Sequence, residues 1–398
     1  MSKIGIALAG GGPLGGIYEI GASVALAEAI EGLDFNRADI FVGVSSGSLV
    51  AAAFANGIDP ERLARILIHN DAEEFFDPEM LLRPAFGEYL QRVLSVPGLL
   101  LSATQSYLAD PLHHGLFESF QRLSRAIPTG LFDNRGVERI MRELFSRRGR
   151  TNDFRKLKHR LFLVATDLDS GETVAFGGPG HDDVPISTAV QASTALPGLF
   201  PPVRIGDHYY VDGALIKTLH ASVALKEGAE LVICINPLVP FDAELAAHRN
   251  AREREALNDG GLPVVLSQTV RAIIHSRMRV GMDRYKHQYE NADVLLFEPS
   301  RDDAEMFFTN VFSYRDRRRL CEHAYQRTRI DLYRRRHELR PLLERHGLGL
   351  DIAVLKDHRR TLVAAPRHRA RVSLKTAASA LDSSLDELQQ WLEARRAA

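Results

Sequence analysis

Cysteine is scarce in this chain. Cys234 and Cys321 are the only two in 398 residues, too few for a disulfide framework. Cys234 lies in the apolar run Leu-Val-Ile-Cys-Ile, where a small buried hydrophobe is expected, and a reducing compartment fits. Long hydrophobic runs are missing as well. No stretch reaches the ~18 consecutive apolar residues of a membrane span. Even Val96-Pro-Gly-Leu-Leu-Leu-Ser-Ala103 is short and interrupted by Pro97 and Gly98, so any membrane contact is expected to be peripheral. Charge of one sign is lacking overall. Fifty Lys/Arg against 51 Asp/Glu leave a formal net charge of −1, which gives no whole-molecule field for nucleic acid or acidic ligands, and no nucleic-acid partner is expected. The N-terminal Met-Ser-Lys-Ile-Gly-Ile-Ala-Leu-Ala runs straight into a strand-like segment without a long apolar h-region or cleavage signal. A cytoplasmic location, without conventional export, is therefore the expectation. No pattern specifies an oligomeric state, and no internal repeat or long low-complexity tract occurs.

What the sequence does have is a globular apolar fraction of 45% and enough length for one large domain or two ordinary ones. Its charge is unevenly placed. From Ser313 onward there are 20 Lys/Arg and 11 Asp/Glu, about +9, which leaves about −10 for the remainder; a basic appendage, or simply solvated helix faces, would account for this. Residues 3–9 read as a buried strand, Gly10 to Gly16 as a loop, Ile17 to Ile30 as a helix and Ile40 to Val44 as a strand. That order predicts a right-handed crossover with two parallel, adjacent strands. Ser48 to Asn56 and Pro60 to about Ile68 read as helices. Phe162 to Thr166 and Glu172 to Phe176 read as a strand pair, with Tyr209 to Val211 and Leu231 to Ile235 as further strands. The mixed aromatic and aliphatic segment from about 71 to 133 is expected to be a helical cap. Beyond Pro299 the chain turns helical and arginine-rich, and Ser384-x-x-Glu387 offers a capping box for a last helix. Alternating strands and helices argue an α/β layered domain.

The chemistry concentrates in three places. Gly43-Val-Ser-Ser-Gly47 follows a strand and precedes a helix, so Ser45 is a candidate nucleophile on a sharp turn whose flanking glycines, Gly43 and Gly47, let backbone close around it. Taken alone, the pentapeptide is more often a tight turn with a surface serine, and it is the strand before it and the helix after it that favour the nucleophile. Gly10-Gly-Gly-Pro-Leu-Gly15 satisfies Gly-x-Gly-x-x-Gly between strand and helix and so raises a nucleotide-cofactor site. That site wants an acid at the tip of the second strand, where this chain carries Ser45 instead. The competing reading makes the amides of Gly10, Gly11 and Gly12 an oxyanion hole beside that serine. In Tyr209-Tyr-Val-Asp-Gly-Ala214, Asp212 leaves a short strand into Gly213 and could take a serine proton, provided that burial or a tight hydrogen bond raises its basicity; an ordinary Asp-Gly turn is the bland alternative. No His/Asp/Glu cluster has metal-ligand spacing, and His113-His114 is an isolated pair, so no metal or cofactor is expected.

Together, Gly10 to Gly15, Gly43 to Gly47 and Asp212-Gly-Ala214, with Ala189-Val-Gln-Ala-Ser-Thr-Ala-Leu-Pro-Gly-Leu-Phe-Pro-Pro-Val203 ahead of the last, resemble the patatin-like phospholipase family over roughly residues 3–240. The resemblance implies a modified three-layer α/β/α hydrolase with a mostly parallel central sheet, to which the residue patterns add a helical cap insertion and a helical C-terminal extension. Taken with the change of pattern after Pro299, a hydrolase domain is expected at 1–300, its motifs within 3–240, and a helical, basic extension at 301–398. The resemblance also implies a Ser45/Asp212 dyad without catalytic histidine, an oxyanion hole at Gly10 to Gly12 with Gly15, Gly43, Gly47 and Gly213 as motif glycines, and a lipid or other acyl ester as substrate. Leu14 departs from the Arg or Lys that many members carry there. A non-enzymatic lipid-surface or partner-binding protein, driven by the basic C-terminal region, is the rival from another class.

Overall fold

The first strand forms at Ile4–Leu8 (β1), where four of five residues are buried, and a helix at Gly12–Ala29 (α1) returns the chain to a parallel neighbour. The computed structural model describes residues 2–69, 129–130, 132–250, 257–308 and 314–362. Most of the expected cap, and the segment holding the Ser384 capping box, lie outside the described residues. In chain order there follow β2 (Ile30–Glu31), β3 (Ile40–Val44), α2 (Ser46–Ala55), α3 (Pro60–His69), α4 (Arg135–Phe145), β4 (Arg160–Asp167), β5 (Thr173–Phe176), α5 (Ile186–Ser193), β6 (Val203–Ile205), β7 (His208–Asp212), α6 (Ala221–Lys226) and β8 (Leu231–Ile235). The rest comprises α7 (Ala243–Asn250), α8 (Gly261–Gln288), β9 (Asp293–Phe297), α9 (Ala304–Phe308), α10 (Tyr314–Arg334), α11 (Arg336–Arg345), β10 (Gly349–Leu350) and α12 (Ile352–Lys356).

The central sheet runs β6-β7-β4-β3-β1-β8-β9, with β5 also paired to β4. The five strands β4, β3, β1, β8 and β9 are mutually parallel, and β5, β6 and β7 form the antiparallel margin. The buried parallel strands are continuous apolar runs because both faces are covered. Ala7, Val42, Val164 and Cys234 point to the face covered by α6 and α8. The other face is covered by α1 and α2, and α10 lies along α1, where Gly21 leaves room for the Cys321 carbonyl and Ala324. This is a three-layer α/β/α arrangement. Residues 1–362 cluster as one compact unit, and among the described residues no helix is long and apolar enough to cross a membrane.

Two features position the site. β1 has β3 on one side and β8 on the other, so the chain reverses its direction of sheet growth there, and the crevice outside the carboxyl ends of such strands is where open α/β sheets bind ligands. Second, the glycine loop is shorter than the sequence suggests. The helix begins at Gly12 rather than Ile17, because Gly12 makes the turn at a φ of +62° and Pro13 occupies a first-turn position that needs no N–H donor.

Candidate active site

Strand register brings the two key residues together. Val44 pairs with Val164, and on the far side of β4 the next residue, Ala165, pairs with Asp212. Ser45 and Asp212 therefore leave the sheet at one level, two strand spacings apart or about 10 Å of backbone, near enough for their side chains to meet over β4. They do: the Ser45 hydroxyl donates to Asp212 Oδ2 at 2.6 Å, with both residues buried.

Ser45 sits at φ +51°, ψ −125°, the one non-glycine residue at positive φ among the described residues. Such a conformation costs roughly 1–3 kcal/mol and persists only where the surroundings hold it. Here the Ser45 amide donates to Ser193 Oγ (2.9 Å), whose hydroxyl donates to the Val164 carbonyl (2.6 Å). The Ser45 carbonyl accepts from the Ser48 amide (2.9 Å) and hydroxyl (2.5 Å). Gly47 lets α2 pass so close to β1 that an added Cβ would lie 2.6 Å from the Leu8 carbonyl oxygen, and Gly43 lies equally tightly against Gly47 and Ser48. The turn is thus locked to β1 and β4.

Asp212 is 1% exposed. Its Oδ1 accepts from the Ala214 amide (2.8 Å), its own amide donates to Ala195 (3.0 Å), and its carbonyl accepts from Thr166 Oγ1 (3.3 Å). Burial raises its pKa from 3.8 to about 6, against the opposing pull of the hydrogen bonds from Ser45 and Ala214. Gly213 packs on the Val164 carbonyl, where no side chain fits.

The glycine loop stands next to both. A Cβ on Gly10 would lie 2.8 Å from the Ala214 Cβ and 3.0 Å from the Ser45 Cβ. One expectation is corrected here: the Gly10 amide donates to the Thr218 carbonyl at 3.1 Å, so it is spent on tying the loop to the segment after Asp212 and cannot hold an oxyanion. Gly11 and Gly12 open α1, where first-turn amides have no intrahelical acceptor, and Gly15 abuts Ser46 and Pro237. Leu14 is buried and presents no charge to the site.

Such an arrangement, a strained serine with a basic carboxylate and free helix N-terminal amides, is equipped for acyl transfer. The sequence profile described as patatin-like phospholipase matches residues 6–225, a span containing all three motifs. The chain belongs to the patatin-like phospholipase family. Similar curated proteins include an uncharacterized NTE family protein of Mycobacterium bovis and one of Mycobacterium tuberculosis, each 29% identical over 238 residues, 59% of this chain and 30% of theirs. The chain thus aligns with under a third of the length of these relatives. Among solved structures, VipD from Legionella pneumophila is 17% identical with a TM-score of 0.38, covering 82% of this chain and 66% of that one. ExoU, a type III effector protein, is 16% identical with a TM-score of 0.34, covering 82% and 52%.

Sequence reasoning missed Ser193, Thr166, Thr218 and Pro237. Ser193 lies within the Ala189–Val203 stretch that carries the family likeness, yet nothing in its local pattern shows that it supports the elbow. Asp167, Asp169 and His208 place ligand-type atoms within 4.8 Å of one another. Asp167 already accepts from the Asp169 and Ser170 amides and lies 3.0 Å from His208 Nδ1, which is the bonding of a closed turn.

Proposed function

We propose that this patatin-like protein is a serine acyl hydrolase that cleaves carboxylic ester bonds of lipids. The observation carrying this reading is the 2.6 Å hydrogen bond from Ser45 to a buried Asp212 at a strained strand-to-helix turn. Asp212 takes the Ser45 proton as Oγ attacks the ester carbonyl, and the carbonyl electrons move onto oxygen. Gly11 and Gly12 amides at the start of α1 receive that oxyanion, aided by the positive end of the helix. Collapse breaks the bond to the alcohol, which leaves with the proton from Asp212, and an acyl ester remains on Ser45. Water, deprotonated by Asp212, attacks this ester and releases the fatty acid, returning the proton to Ser45. A carboxylate at an ordinary pKa is a poor base towards an alcohol; a pKa of about 6 narrows that gap while leaving the group ionised at neutral pH.

Hydrolysis of a soluble short-chain acyl ester by the purified protein, with Ser45→Ala in parallel, tests the assignment. The wild type should turn over and acquire a single adduct on Ser45 from an alkyl fluorophosphonate. Equal hydrolysis by Ser45→Ala would end it.

A further inference from the structure

The long helix α8 is amphipathic in the wrong sense for a purely internal role. Its inward face, Gln268, Arg271, His275, Met278, Met282 and Tyr285, recurs at alternating spacings of three and four and packs toward the sheet. The opposite face carries Leu262, Leu266, Val270, Ile273 and Val280 at spacings that keep them aligned along the helix, and all are exposed, Leu262 to 70% and Val280 to 69%. Half of the exposed large hydrophobic side chains found among the described residues belong to this single helix. Isolated exposed apolar residues need no account, whereas a contiguous stripe on one element marks an interaction surface.

Charge identifies the partner. Within Gly261–Gln288 the basic residues are Arg271, Arg277, Arg279, Arg284 and Lys286, and Asp283 is the only acid. Arg277 and Arg284 continue the apolar stripe, and both are exposed. A helix whose apolar face runs on into cations lies in the interface of an anionic bilayer. Position agrees with chemistry. The apolar half of α8 is tied to the carboxyl end of β8: Gln268 exchanges two hydrogen bonds with Phe241 (3.0 and 2.7 Å) and Arg271 donates to Val239 (3.3 Å). Pro237, two residues before Val239, packs against Gly11 and Gly15 of the glycine loop. The stripe therefore borders the edge of the sheet at which Ser45 opens.

We infer that the outer face of α8 docks the protein on anionic lipid surfaces, Leu262, Leu266, Val270 and Ile273 entering the acyl boundary and Arg277 and Arg284 meeting headgroups. The choice of a bilayer over a protein partner rests partly on the lipid acyl hydrolase reading. Co-sedimentation of the full chain with vesicles of phosphatidylcholine alone, and of phosphatidylcholine and phosphatidylglycerol in equal parts, tests it. The wild type should pellet with the anionic vesicles and release with salt. Leu266→Asp/Ile273→Asp should bind at least about tenfold more weakly, and Arg277→Gln/Arg284→Gln about thirtyfold more weakly at low salt. Because all four side chains are exposed, both variants should keep wild-type circular dichroism and soluble-ester turnover. Wild-type protein that pellets with neither vesicle, or variants that pellet as well as wild type, would overturn the inference. So would a wild-type dimer that becomes monomeric in Leu266→Asp/Ile273→Asp and shows no vesicle binding, since a second copy would then cover the face. If vesicle binding follows the variants as stated but no soluble ester is cleaved, the docking surface stands and the hydrolase assignment fails.

Discussion

At the scale of single residues, the candidate site holds the Asp212 carboxylate in a state that costs stability. The rise of the Asp212 pKa from 3.8 to about 6 means that the unfolded chain loses this proton at lower pH than the folded one. Folding stability then falls as pH climbs from about 4 to about 6 and stays lowered above, by about 3 kcal/mol. Asp212→Asn removes the charge while its amide can still donate to Ser45 and its oxygen accept from Ala214. The variant should unfold at higher denaturant than wild type at pH 8, match it near pH 3, and lose about 10²–10⁴-fold in turnover. For the wild type, kcat/KM should rise with pH through about 6. A flat profile, or an Asn variant less stable than wild type at pH 8, would remove Asp212 from the role of buried base. Glu19 is a second case, one turn of α1 beyond Gly15. It is wholly buried, and burial pushes its pKa well up; neither carboxylate oxygen has a hydrogen-bond partner among the described residues. The nearby Ala9 amide is taken by the Ile235 carbonyl at 3.0 Å. A carboxyl that holds its proton more tightly in the fold than in the unfolded chain lowers stability as pH rises above the ordinary 4.5. Glu19→Gln should therefore be neutral near pH 4 and more stable at pH 8 in denaturant titrations; identical pH dependence in the two proteins would mean that Glu19 is ionised and paired.

Elements were legible wherever the hydrophobic period was strong. β3 and β8 fall at the expected residues, and the expected pair around 162–176 is the β4/β5 hairpin. Where two signals compete, the pattern misled: three glycines and a proline suggested loop through Gly16, but Pro13 and Gly12 are tolerated in a first turn, and α1 starts there. Ser45 and Asp212 could be named from short motifs because each ends a strand, whereas Ser193 could not, since its role arises from register across β4. Its hydroxyl joins the Ser45 amide to the Val164 carbonyl, so Ser193→Ala strands a buried donor and a buried acceptor. That loss should destabilise the protein by about 1–3 kcal/mol and slow turnover with little change in KM, because the elbow rather than substrate contact is disturbed. Ser193→Thr should recover part of both. Wild-type stability and turnover in Ser193→Ala would show that α2 and the glycine packing hold the turn unaided. The exposed stripe of α8 was not legible either, because periodicity would turn the apolar line of Leu262, Leu266, Val270 and Ile273 toward the sheet, whereas Gln268, Arg271 and His275 face inward.

Over the whole molecule, part of the charge asymmetry read from the sequence belongs to the fold itself. Some of the arginines past Ser313 are structural: Arg329, buried, donates to the Val354 and Asp357 carbonyls at 2.7 Å each, and Arg335 reaches the Leu296 carbonyl at 3.0 Å. The helices that carry them are part of the layer over α1. Leu320, Cys321, Tyr325, Leu332, Leu339 and Leu343 are fully buried, and at about 1.5–3 kcal/mol for each large apolar side chain their contribution is on the order of 10 kcal/mol, comparable with the whole net stability of a typical domain, about 5–15 kcal/mol. A chain ended at residue 300 would keep Ser45, Asp212 and the glycine loop yet expose the α1 face on which Gly21 receives Cys321 and Ala324. It should be insoluble or bind a hydrophobic dye, with no cooperative thermal transition, while a chain ended at residue 362 should melt cooperatively and hydrolyse the soluble ester at the full-length rate. Cooperative melting and full activity in the 1–300 protein would mean that α1 does not need this cover, and that α10 and α11 are an attachment to the hydrolase unit rather than part of its core.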